Sequence, residues 1–153
     1  MKYIDSSAFV KYYSEESSEK GSDKVKEIID RAKEGKEILV SSVLLIGEVI
    51  SAFDKWVRMR LIKKEEFDEI IGVFVSDLRK LADKNSIILE DITSISMIFC
   101  VDYIVKHHLT VNDSSHLYSA LIHKNSIKEF VCSDMNLINA AKKEGFKIMN
   151  PEQ

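Results

Sequence analysis

Four acidic residues, Asp5, Glu48, Asp113 and Asp134, stand where the chain could gather a divalent cation. Asp5 ends the apolar pair Tyr3-Ile4, and Ser6-Ser7-Ala8-Phe9-Val10 follows at once as a helix start. Asp134 closes Glu129-Phe130-Val131-Cys132-Ser133 in the same way. Glu48 lies in an apolar helical run, one turn after Leu44 and one turn before Ala52, so it shares a face with apolar neighbours. Asp113 falls in the first turn of a helix over Thr110–Leu121. Each acid also has a plain structural role open to it. Asp5 and Asp134 suit helix N-caps, Asp113 suits a cap or a helix-dipole partner, and Glu48 suits a wet stripe on its helix. Gathered at one place, carboxylates repel each other unless a cation bridges them. Mg²⁺ or Mn²⁺ would do so, since hard cations take oxygen ligands and Mg²⁺ is held by few carboxylates together with water and substrate phosphate. A cation there polarises a phosphodiester and lowers the pKa of a bound water.

The elements that must position these acids can be read from apolar periodicity. Strands are expected at Tyr3-Ile4, Ile38–Val40, Ser86–Glu90, Glu129–Asp134 and Phe146–Met149. Helices are expected between them: Ala8–Tyr13, a run through Val25, Ile28, Ile29 and Ala32 stopped by Gly35, a run from Val43 to Val57 capped by Ser41 or Ser42, Lys63–Asp83, Ser94–His107, Thr110–Leu121 and Met135–Glu144. Ser14–Ser22 reads as an exposed loop. Strands separated by helices imply an α/β fold: a three-layer α/β/α sandwich on a parallel sheet of about five strands, joined by right-handed crossovers. Such a sheet places all its strand ends on one edge, where ligands bind. The four acids are expected at that mouth.

The composition sets the outer bounds. At 153 residues, 45% hydrophobic and 31% charged, the chain is expected to form one globular domain over residues 1–153, with no membrane span. The N-terminal stretch lacks the basic flank and long apolar segment of a signal peptide, and a cytoplasmic location is expected. A net charge of −3 argues against holding nucleic acid by bulk electrostatics, though not against a basic rim around an acidic centre. Cys100 and Cys132 lie in apolar contexts and read as small buried hydrophobes. His116 and His123 fall two turns apart on one helix, but with no third histidine or cysteine they read as satisfied histidines. His107-His108 ends its helix as a dipole partner. Trp56, Val57, Phe67 and Phe74 exceed what one small sandwich is expected to bury, which points to a homodimer.

The stretches YIDSSAFVKYY, SSVLLIGEVISAF, NDSSHLYSAL and FVCSDMNLINAAKKEGFKIMNPE together resemble the PIN-domain family, and are similar to the toxin ribonucleases of VapBC toxin–antitoxin pairs. The resemblance implies that Asp5, Glu48 and Asp113 are the three main acids and Asp134 the fourth, with Ser133 as the hydroxyl residue before it. Ser6 and Ser7 stand where the family commonly has small hydroxyl residues. It further implies a Mg²⁺- or Mn²⁺-dependent endoribonuclease that leaves a 5′-phosphate and a 3′-hydroxyl, an RNA substrate, and a VapB-like antitoxin. Two features depart from the family pattern: Ser133 replaces the more usual threonine, and the Lys63–Asp83 helix is long for a minimal member. A housekeeping RNA-processing nuclease, or a PIN-like domain that binds RNA or a partner without cutting, is the alternative. A phosphoacceptor domain or a haloacid-dehalogenase-type phosphatase would want a second acid beside Asp5, which Ser6-Ser7 does not supply.

Overall fold

Tyr3 and Ile4 face opposite ways, and the two sides of the molecule follow from that alternation. In the computed structural model, which describes residues 1–14 and 22–152, Tyr3 packs with Val40, Phe130, Leu117 and Leu137, whereas Ile4 packs with Leu39, Val131, Phe9 and Leu45. The strands are β1 (Lys2–Ile4), β2 (Leu39–Ser42), β3 (Ile87–Glu90), β4 (Glu129–Val131) and β5 (Ile148–Met149). They form one all-parallel sheet in the order β3-β2-β1-β4-β5, with Tyr3 level with Val40 on one side and with Phe130 on the other.

Helices α1 (Ser6–Tyr13), α2 (Ser22–Lys33), α3 (Leu44–Arg58) and α4 (Lys64–Asp83) cover the Ile4 face, and α5 (Ser94–His107), α6 (Val111–Ile122) and α7 (Met135–Lys143) the Tyr3 face. The chain steps outward from β1 to β3, then returns across the sheet to β4. With right-handed crossovers, that reversal moves the helices to the opposite face. The result is the expected α/β/α sandwich, and its strand order reverses between β1 and β4. Asp5 and Asp134 leave the sheet beside that switch point, where a crevice forms.

Several boundaries differ from the sequence expectation for tertiary reasons. Ser41 and Ser42 belong to β2, and Ser41 Oγ donates to the Ile4 carbonyl at 2.8 Å. Ser42 Oγ still accepts from the Leu44 amide at 3.3 Å, but Val43 occupies the N-cap of α3. β4 stops at Val131, so Cys132-Ser133-Asp134 is a link to α7. Gly35 (φ +78°) and Gly145 (φ +87°) adopt the left-handed backbone that ends α2 and α7. Of the loop expected over Ser14–Ser22, residues 15–21 lie outside the described residues.

The apolar surplus is placed differently from the expectation. Phe74 is fully buried, its ring against Phe9 and Tyr13, while Trp56 and Phe67 are partly buried against the same core. The long α4 makes this possible, because it lays Phe67, Phe74 and Leu81 over α2 and α3 and thickens that layer. Asp77, only 2% exposed on α4, takes the Lys33 ammonium at 2.7 Å and the Tyr13 hydroxyl at 3.0 Å, tying α1 and α2 to α4. Exposed apolar residues group instead on α5, where Ile95, Ile98, Phe99, Val101 and Val105 are each more than half exposed; others, such as Met59 and Leu61, lie elsewhere. Among the described residues, no helix is long and apolar enough to cross a membrane.

Candidate metal centre

Asp5 is fixed by the central strand. Its backbone N–H donates to the Val131 carbonyl at 3.0 Å, which sets it at the end of β1 beside β4. Its carboxylate is 6% exposed and caps α1: Oδ2 accepts from the Ser7 amide at 3.3 Å and the Ser7 hydroxyl at 2.8 Å. The capping role is therefore real. It uses Oδ2, while Oδ1 turns to a histidine, with His116 Nδ1 3.7 Å away.

Glu48 projects from α3 onto the same place. His116 Nε2 lies 2.7 Å from Glu48 Oε2, and Asn112 Nδ2 donates to Oε1 at 3.1 Å. On its other side His116 Nδ1 is 2.7 Å from the hydroxyl of the buried Tyr3. One ligand atom from each of Asp5, Glu48 and His116 lies within 4.8 Å of the others. His116 is thus a satisfied buried histidine, as expected, but it sits at the centre of the acids. The signal in the sequence was its position three residues after Asp113, on the same helix face. Its supposed face partner His123 pairs instead with Glu90.

Asp113 and Asp134 stand outside that cluster, near enough for the charges of Asp134 and Asp5 to act on Asp113. Thr110, not Asp113, caps α6; its hydroxyl accepts from the Asp113 amide at 3.1 Å and donates to Asp113 Oδ2 at 2.7 Å. Asp134 is exposed and caps α7, with Oδ1 accepting from the Leu137 amide at 2.8 Å. Ser6 lies close enough to Glu48 to help lower its pKa, and the Ser133 amide reaches Ser7 Oγ at 3.4 Å. Of the two serines, Ser7 is the one bound to Asp5. Cys132 is buried, as expected, and also borders the site: its Sγ is 3.6 Å from Asp5 Oδ2 and accepts from the Asp134 amide at 3.3 Å.

The electrostatics are those of a site with excess negative charge. Burial pushes the Asp113 carboxyl up, and the charges of Asp134 and Asp5 push it further, overcoming the Thr110 hydrogen bond. Burial would also raise Glu48, but His116, Ser6 and Asn112 outweigh it and hold Glu48 below the usual range. For His116, burial pulls the pKa down, and the Glu48 hydrogen bond with the charges of Asp5, Glu48 and Asp113 turns the shift upward. Burial and then Asp5 raise the Cys132 thiol, which keeps it protonated and argues against a thiolate ligand.

A divalent cation fits the cluster of Asp5, Glu48 and His116, in which two carboxylates offer hard oxygen donors. Asp113 stands outside that cluster, its carboxyl raised first by burial and then by the charges of Asp134 and Asp5. No protein-family model and no curated protein matches the chain. A cleft of about 680 Å³ lined by Tyr12, Tyr13, Trp56, Ile62 and Ile70 lies at the other end of α1 and includes none of these acids.

Proposed function

We propose that the chain is a Mg²⁺- or Mn²⁺-dependent ribonuclease of the PIN type, with Asp5, Glu48 and Asp113 as metal ligands and Asp134 at the solvent edge. The observation that carries this reading is the meeting of Asp5 and Glu48, with His116, within 4.8 Å at the switch point of a parallel sheet. The neighbouring acid Asp113, pushed up by burial and then by the charges of Asp134 and Asp5, supports it. Bound there, the cation supplies Lewis-acid polarisation of a phosphodiester and a water of lowered pKa. The chain's own residues order the ligands: Ser7 fixes Asp5, Asn112 and His116 fix Glu48, and Thr110 fixes Asp113. Asp134, exposed at the mouth, is the acid that incoming RNA meets first.

The test is incubation of purified protein with structured RNA. Cleavage that requires Mn²⁺ and leaves 5′-phosphate ends is expected; equal cleavage in excess chelator overturns the reading.

The reading extends to partners. It places the protein in the cytoplasm as the toxin of a toxin–antitoxin pair, inhibited by a VapB-like antitoxin that brings an Arg or Lys to the acids. It also includes pairing with a second copy. The apolar stripe of α5, broken among its exposed residues only by Ser94, Asp102 and Lys106, supplies a surface for that.

A further inference from the structure

We propose that His116 is a positioning residue: it holds Glu48 in place for the cation and is not itself a ligand. The inference rests on the metal-dependent reading of this site. Glu48 is a long side chain leaving the second turn of α3, with many rotamers to lose when a metal binds. Both its oxygens are held from α6, Oε1 by Asn112 at 3.1 Å and Oε2 by His116 at 2.7 Å. A carboxylate only accepts, so Nε2 carries the proton in that bond.

The other ring nitrogen is taken as well. Nδ1 meets the Tyr3 hydroxyl at 2.7 Å, and Tyr3 is an immobile anchor, fully buried on the central strand and stacked on Phe130 with centroids 4.6 Å apart. The chain Tyr3–His116–Glu48 therefore runs from the sheet core to the site and leaves the imidazole no free lone pair. Metal sites commonly orient a ligand through a hydrogen-bonded partner behind it, and removing such a partner costs about 10- to 100-fold in metal affinity or activity.

The experiment measures Mn²⁺ affinity by calorimetry in wild type, Tyr3→Phe, His116→Phe, His116→Gln, Glu48→Gln and the His116→Phe/Glu48→Gln double variant. Pulsed EPR of bound Mn²⁺ reads any coupling to an imidazole nitrogen. Expected are a loss of about 10- to 100-fold for His116→Phe, a smaller loss for Tyr3→Phe, and recovery in His116→Gln, whose amide can still donate to Glu48. The double variant should bind no worse than Glu48→Gln alone, and no nitrogen coupling should appear.

Additive losses in the double variant, a nitrogen coupling, or unchanged affinity in both Tyr3→Phe and His116→Phe overturns the assignment. If His116→Phe does not fold, Tyr3→Phe and the wild-type EPR spectrum still decide. Wild type that binds Mn²⁺ as described yet leaves RNA intact retires the ribonuclease reading and keeps the role of His116. Wild type that binds no Mn²⁺ overturns both.

Discussion

The Lys33 ammonium lies 2.7 Å from the carboxylate of Asp77, an acid with 2% exposure on a helix otherwise packed by apolar residues. Burial alone would raise Asp77, but Lys33 and Tyr13 overcome it and hold the carboxyl below its usual range. A depressed carboxyl contributes stability above its unfolded pKa, and loses it as pH falls through the folded value. Asp77→Asn should therefore cost about 2 kcal/mol near neutral pH, and that penalty should shrink below about pH 4. Urea denaturation at neutral pH and near pH 3 measures it. An equal penalty at both would show that the carboxylate's charge is not what stabilises the contact.

Asp113 shifts the opposite way. Its carboxyl is raised by burial and by Asp134 and Asp5, so the ionised form destabilises the metal-free fold once pH passes the folded value, and nothing is lost below the unfolded pKa. Asp113→Asn, which can still accept from Thr110, should stabilise the protein in chelator by under about 1 kcal/mol near neutral pH and by nothing near pH 3. Added Mn²⁺ should reverse the order, because the variant gains less from the ligand. Melting curves with chelator and with Mn²⁺ at the two pH values check this.

Removing a ligand should be more damaging to cleavage than removing its support. Asp5→Asn and Glu48→Gln should each lower Mn²⁺-dependent RNA cleavage by at least about 100-fold, beyond the range typical of an outer partner. Asp5→Asn retains a helix cap, so its fold should survive. Repulsion among the acids alone would make this variant melt higher in chelator. His116 Nδ1 lies 3.7 Å from Asp5 and offsets part of that repulsion when the imidazole is protonated, so the rise in melting temperature should be small. Gel assays of RNA cleavage, paired with thermal melts, separate the two effects.

The exposed apolar stripe of α5 gives a direct test of self-association. Ile98→Glu should leave the melting temperature of the monomer nearly unchanged, since Ile98 is 69% exposed. It should convert a dimeric wild type to monomer at tens of micromolar protein, about the range in which ordinary interfaces are occupied. Sedimentation velocity reads the mass directly. A wild type that is already monomeric removes the second copy from this surface.

The layers were legible because the apolar periods are strong and the turns carry glycine. Asp5 and Asp134 each end an apolar stretch and begin a helix, which places them at one sheet edge without knowledge of any contact. Glu48 stood out because its helix neighbours are apolar. What stayed hidden depends on distant residues. Tyr3 reaches His116 across 113 positions, and no local pattern shows that bond. Ser41 and Ser42 look like helix caps because hydroxyls favour caps, yet Ser41 bonds the Ile4 carbonyl across the sheet. Phe74 looked surplus because the depth of the α1–α4 layer depends on how α4 lies over α2 and α3.

The sheet order also times the protein's own maturation on the ribosome. β1 is made before the other four strands, but one of its two neighbours is β4, and the candidate site draws on residues 5, 48, 113, 116 and 134. At about 5–20 residues per second of synthesis, several seconds pass between the appearance of Glu48 and that of Asp134. Over that interval the growing chain carries Asp5 and Glu48 with neither α6 nor β4 to gather them. Whatever chemistry the site performs is withheld from the nascent chain until Asp134 has been translated.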